Sequence, residues 1–162
     1  MTSLPLRGYI IITISFLLAI LLSIFPLPDW LAVFRPPWVA LVLVYWAIAL
    51  PSRIGLGIAW ASGLLLDGLN DTVLGEHALA LVVVAYLAHK SYLQIRMFPL
   101  SQQALSIMVF ILIYQILLLL IQSILGQLTN SHWFWAPAVT SLLVWPMLFI
   151  LLRGCRRQFS IN

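Results

Sequence analysis

The residues of this chain that could do chemistry are few and crowded into one stretch. Between Gly63 and Leu79 the sequence reads G-L-L-L-D-G-L-N-D-T-V-L-G-E-H-A-L and holds Asp67, Asp71 and Glu76, three of the four carboxylates in a protein with only 7% charged residues. Two carboxylates that face each other can share a proton and activate water. An intramembrane protease of that kind takes its acids from different helices, whereas Asp67 and Asp71 lie on one segment and Asp29 is the only other aspartate. Ser62, beside Gly63, is a nucleophile only with a histidine base within hydrogen-bond reach, and His77, His89 and His132 stand at the edges of apolar runs. Neither the H-E-x-x-H zinc signature nor the phosphate-cradling G-x-x-x-x-G-K-[ST] occurs. The sequence therefore implies no enzyme, no cofactor and no metal site. Asp71 and Glu76 read as solvated charges of a polar turn. Asp67, which follows directly on Leu64, Leu65 and Leu66, is the carboxylate to single out, because hydrocarbon penalises an ionised group by a few kcal/mol unless a partner or water is supplied.

The elements that must position these residues are apolar. Hydrophobic residues make up 64% of 162 positions and the mean hydropathy is +1.11, against roughly 45 to 50% apolar usage in soluble domains. This is the composition of an all-α integral membrane protein, a single domain over residues 1–162. A helix needs about 20 mainly apolar residues to cross the hydrocarbon, and the strict alternation of a transmembrane barrel is not seen. The apolar runs predict six spans: Tyr9 to Phe25, uncleaved because no small-x-small site follows it; Trp38 to about Leu50; Ile54 to about Leu66; Ala78 to Ala88; Gln103 to Leu125; and Ala136 to Leu152, kinked at Pro146. Ser91 to Ser101 reads as a surface loop and Gly126 to His132 as a polar one. Gln115 and Gln122, seven residues apart, share a helix face and call for helix–helix hydrogen bonds. Cys155, the lone cysteine, allows no intramolecular disulfide.

Gly55, Ala59 and Gly63 recur every fourth residue, a ladder of small side chains that lets a neighbouring helix approach closely, and Asp67 is its next step. The carboxylate thus continues a packing face and should point toward protein. With six spans, Arg7, Arg53, Lys90, Arg96, Arg153, Arg156 and Arg157 fall on the side of the termini and Arg35 alone falls opposite. The positive-inside rule then puts both termini in the cytoplasm and the acidic stretch outside, beside an interfacial belt of Trp30, Trp38, Trp133 and Trp135. Basic residues so dispersed are topology signals and exclude a nucleic-acid surface. Glycine at position 75 suits a turn that needs positive φ.

Phe34-Arg35-Pro36-Pro37-Trp38, followed by Tyr45-Trp46, Pro51-Ser52-Arg53, Gly63-Leu64-Leu65-Leu66-Asp67, Leu74-Gly75 and Ala78-Leu79, resembles the MreD family of bacterial rod shape-determining proteins. Trp145-Pro146 and the basic tail Arg156-Arg157-Gln158-Phe159 agree with it, so the resemblance spans essentially the whole chain. It implies a multi-pass subunit of the bacterial cytoplasmic (inner) membrane, in the elongation machinery that organises lateral peptidoglycan synthesis and rod shape. It implies MreC as the direct partner, with MreB, RodZ, RodA and a penicillin-binding transpeptidase in the same complex, and no catalysis by this chain. It also implies a fold similar to the substrate-binding membrane subunits of energy-coupling-factor transporters, which keeps a small-solute-binding or transport role as the alternative. On this reading the face of Gly55, Ala59 and Gly63 packs against the membrane helix of MreC. Arg35, Pro36, Trp38, Asp67 and Gly75 shape the outer boundary beside it, where Asp67 and Arg35 can pair with each other.

Overall fold

The computed structural model of the protein describes residues 6–126 and 133–158. Every regular element among these residues is a helix: α1 (Leu6–Ile24), α2 (Asp29–Ala32), α3 (Trp38–Ala49), α4 (Leu56–Leu69), α5 (Glu76–Met97), α6 (Leu100–Ile124) and α7 (Ala136–Gln158). A helix satisfies its backbone hydrogen bonds within one segment, which is the arrangement an apolar chain needs where water cannot serve.

Helix α3 organises the rest. It is apolar on every face, and a helix of that kind is stable only when enclosed; all residues from Val39 to Ala49 are buried. It packs on α1 to one side and on α5 to the other, α5 packs on α4 and α6, and α6 packs on α7. The α1–α3 seam carries a polar pin, where the indole N–H of Trp46 donates to Ser15 Oγ at 2.8 Å and that hydroxyl donates to the Ile12 carbonyl at 2.7 Å.

Among the described residues, three helices, α5, α6 and α7, with 22, 25 and 23 residues, are long and apolar enough to cross a membrane. The 12 residues of α3 rise only about 18 Å at 1.5 Å per residue, short of a hydrocarbon core about 30 Å thick.

The segment 91–97, expected as loop, is the last two turns of α5. Nothing in Ser91-Tyr92-Leu93-Gln94-Ile95-Arg96-Met97 breaks a helix, Ile95 is buried, and the guanidinium of Arg96 donates to the Ala49 carbonyl at the end of α3. The break comes at Phe98, extended at φ −75° and ψ 147°, as the residue before a proline prefers. The helix expected to bend at Pro146 runs through it as part of α7. The polar loop expected over Gly126 to His132 lies almost wholly outside the described residues, as does Phe159 of the tail.

The bundle has two chemically distinct ends. Ala49, Arg96, Gln103, Arg153 and Arg156 surround one recess at the basic end. Ser23, Arg35, Asn70, His77 and Trp133 surround another at the opposite end.

Candidate functional site

The acidic stretch forms the seam between α4 and α5 at the end opposite the basic tail. Helix α4 runs two residues past Asp67 and stops, and the chain reverses through Asn70 to Gly75 with Asp71 at φ 52° and Gly75 at φ 103°. The second value lies where an L side chain is strained and glycine is not. The reversal brings the first turn of α5 beside the carboxylate of Asp67, which is fully buried.

The first backbone N–H groups of a helix have no partner within it, and α5 has no capping side chain at Gly75. Asp67 supplies the missing acceptor from the preceding helix. Its Oδ2 accepts the Gly75 N–H at 2.8 Å and the Ala78 N–H at 3.4 Å. Its Oδ1 accepts the His77 N–H at 2.9 Å, the His77 ring Nδ1–H at 2.8 Å and the Thr72 hydroxyl at 3.1 Å. A carboxylate at the positive end of a helix dipole is also favoured electrostatically. Its lone pairs are thus committed to its own chain, which is the chemistry of a structural cap.

One turn earlier, Gly63 fixes how close the two helices can lie. A Cβ at this position would stand 2.3 Å from Ala78 Cα and 2.6 Å from Ala78 N. Ala59 is fully buried, while Gly55 ends the ladder at the exposed N-cap of α4 with open space around it. The small-residue face is therefore covered by α5, and the close approach it permits is internal to this chain.

Arg35 does not pair with Asp67. Its guanidinium donates to the carbonyls of Ser23 and Phe25, which are among the groups left unsatisfied at the C-terminal end of α1. A cation is favoured there by the dipole. Asp67 is drawn to the helix N-terminus and Arg35 to a helix C-terminus, so two opposite charges each find a backbone partner. Pro36 is buried and Trp38 half-buried, together leading into α3, and Phe34 meets Trp133 at 5.9 Å between ring centroids.

Glu76, expected as a solvated loop charge, is only 2% exposed. It begins α5 and its Oε1 accepts the Gln122 side-chain N–H at 2.6 Å. Gln115, on the same face of α6, donates instead to the Phe134 carbonyl at 2.7 Å. The two glutamines thus make the interelement bonds their spacing called for, one of them to a carboxylate that the sequence reading had placed in water. Asp71 is exposed. Thr72 and His77 are the members of the site that sequence reasoning missed. Their proximity to Asp67 in sequence was visible, but the reversal that turns both onto one oxygen was not. Ser62 donates its hydroxyl to the Ala59 carbonyl at 3.0 Å, within its own helix.

Between these groups lies a cavity of about 390 Å³, lined by residues that include Arg35, Asn70, His77, Tyr114, Gln115 and Trp133. The Gln115 oxygen has no hydrogen-bond partner among the described residues.

The family model described as rod shape-determining protein MreD matches residues 6–155. The rod shape-determining protein MreD of Haemophilus influenzae is 32% identical to the chain over 150 residues, which cover 91% of each. No solved structure matches. A family match over nearly the whole length, on a helical bundle whose polar residues serve its own helix ends, has one reading: the chain belongs to the MreD family of rod shape-determining proteins.

Proposed function

We propose that this protein is a non-catalytic, six-span subunit of the bacterial inner membrane that binds MreC and helps organise lateral peptidoglycan synthesis in the rod complex. MreB, RodZ, RodA and a penicillin-binding transpeptidase are the further members of that assembly. A single domain with both termini in the cytoplasm suits this role, and so does a fold like that of the energy-coupling-factor substrate-binding subunits. The observation that carries the docking reading is an apolar groove between α1 and α4. It encloses about 330 Å³ and is lined by Phe16 and Leu17 from α1 and by Ile58, Ala61, Ser62 and Leu65 from α4, among others. Its small residues, Ala61 and Ser62, let a helix backbone approach closely, and Leu17 and Leu65 beside them are 54% and 57% exposed. This face replaces the Gly55, Ala59 and Gly63 face as the surface offered to MreC. Arg35, Pro36, Trp38, Asp67 and Gly75 act on the partner indirectly, by holding the outer ends of α1, α4 and α5 in place.

Site-directed crosslinking tests the groove. With Cys155 replaced by serine, cysteines at Ala61 and Leu65 crosslink to the membrane helix of MreC, and a cysteine at the exposed Leu143 of α7 does not. Crosslinks from Leu143 alone would move the interface to another face. The cavity lined by Arg35 and His77 favours a second reading, a small-solute-binding or transport subunit, because several helices contribute polar groups to it. Depletion separates the two readings. Rounding of rod-shaped cells supports the scaffold, and loss of one nutrient's uptake with shape intact supports transport.

A further inference from the structure

The basic end of the bundle holds a second recess, of about 540 Å³, enclosed by the ends of α3, α5 and α7 and the start of α6. Arg96 from α5 and Arg153 and Arg156 from α7 line it together. They are 57 and 60 residues apart in sequence, so only the fold assembles them. Among the described residues no acidic side chain lines the recess, and Asp67 and Glu76 lie in the α4–α5 seam at the other end of the bundle. One nitrogen of the Arg96 guanidinium is held by the Ala49 carbonyl, and the Arg153 guanidinium lies 5.8 Å from the centre of the Phe149 ring. Neither contact neutralises charge. A second observation points the same way: Trp145 is 1% exposed, it is among the residues lining the recess, and its indole N–H has no hydrogen-bond partner among the described residues. An unpaired buried donor is costly and uncommon in a native fold.

We propose that this recess binds a phosphate group, and that its usual source is the headgroup of an acidic phospholipid. The arginines offer only donors, in planar forks that match phosphate oxygens. Indole N–H likewise donates and cannot accept. Apolar residues, including Ile48, Phe98 and Leu100, complete its lining and suit the glycerol and acyl portions of a lipid. Basic pockets between membrane helices are a recurrent form of headgroup site.

The test uses the full chain. Reconstituted into phosphatidylcholine nanodiscs with and without phosphatidylglycerol, the wild type retains phosphatidylglycerol in native mass spectrometry and melts at a higher temperature when that lipid is present. The double variant Arg153→Gln/Arg156→Gln loses at least about tenfold in affinity, the scale set by removing charge-assisted bonds to an anion, while its melting in pure phosphatidylcholine is unchanged. Arg157→Gln, an exposed charge of the same tail that does not line the recess, retains the lipid and so controls for general charge attraction. Trp145→Phe gives the sharpest reading. It removes the unpaired N–H and keeps the packing, so the variant melts no lower in phosphatidylcholine and yet binds phosphatidylglycerol several-fold more weakly. A side chain with only a packing role would move both together. Inorganic phosphate and glycerol phosphate, added to protein in neutral detergent, identify the source: protection at millimolar concentration assigns the site to a soluble phosphate, and protection by the lipid alone assigns it to the headgroup. Equal retention by wild type and the double variant overturns the proposal, as does displacement by an acidic peptide with no response to phosphate or lipid.

Discussion

The carboxylate of Asp67, near the end of α4, closes the N-terminus of α5, with Oδ1 2.8 Å from Nδ1 of His77 and 2.9 Å from its backbone N–H. Five hydrogen bonds converge on one fully buried side chain. Asp67→Asn keeps the shape but turns an amide N–H₂ toward backbone N–H groups that can only donate. The expected loss is about 1–3 kcal/mol, the cost of leaving buried donors unsatisfied, and Asp67→Ala should lose at least as much. Thermal unfolding in mild detergent checks this. A melting temperature unchanged in both variants would remove Asp67 from the structural role assigned to it.

Gly63 and Gly57 lie on different faces of α4, about 120° apart at 3.6 residues per turn, and should respond differently to alanine. At Gly63 the added Cβ meets the backbone of Ala78 at 2.3 Å, a contact that only separation of α4 from α5 can relieve, and overpacking of this kind costs about 1–3 kcal/mol. At Gly57 nothing lies within 4 Å, so alanine is neutral or adds up to about 1 kcal/mol through helix propensity. The same melting assay on both variants distinguishes a packing glycine from an incidental one.

Glu76 and Gln122 join the first turn of α5 to the last turns of α6 at 2.6 Å. A double-mutant cycle built from Glu76→Gln, Gln122→Leu and their combination should give a coupling of about 0.5–3 kcal/mol. Strict additivity would mean that the pair is not formed in the folded protein.

Arg35 ties the end of α1 to the start of α3 through two carbonyls. Arg35→Lys keeps the charge and loses the fork, and an ammonium is not equivalent to a guanidinium at a two-acceptor site. It should lower stability by less than Arg35→Ala, which leaves both carbonyls without their partner at about 1–3 kcal/mol. If the two substitutions were equally harmless, the first helix would have to be held by its apolar face alone.

Fusion reporters test the six-span proposal. A cytoplasm-dependent reporter placed after Gln158 should be active, and the same reporter placed between α6 and α7, after Gly126, should be inactive. The reverse pattern would invert the bundle, and activity at both sites would change the number of crossings.

The charge arrangement at the end opposite the basic tail shows how far local pattern carries. Each of Asp67 and Arg35 could be recognised as exceptional from the apolar residues around it. Pairing them was the natural guess, because opposite charges at one membrane face attract. The structure gives each a helix terminus instead, since unsatisfied backbone N–H and C=O groups are as strong a partner as a side chain and lie closer in the chain. Glu76 illustrates the same limit. It sits one residue past a glycine in a polar stretch, a context that resembles a loop, and only the packing of α6 beside α5 brings Gln122 to it and removes both from water.

The amino-acid sequence by itself determined the helical class, most helix positions, the small-residue face through Ala59 and Gly63, the need for glycine at Gly75 and the family. These follow from composition, from spacing along one helix and from φ preferences, all of which are local. Tertiary structure alone decided what covers that face, which groups complete Asp67, Arg35 and Glu76, and that Arg96, Arg153 and Arg156 share one recess. The order in which helices pack is set by the summed fit of apolar surfaces far apart in the chain, and no spacing within a single helix encodes it.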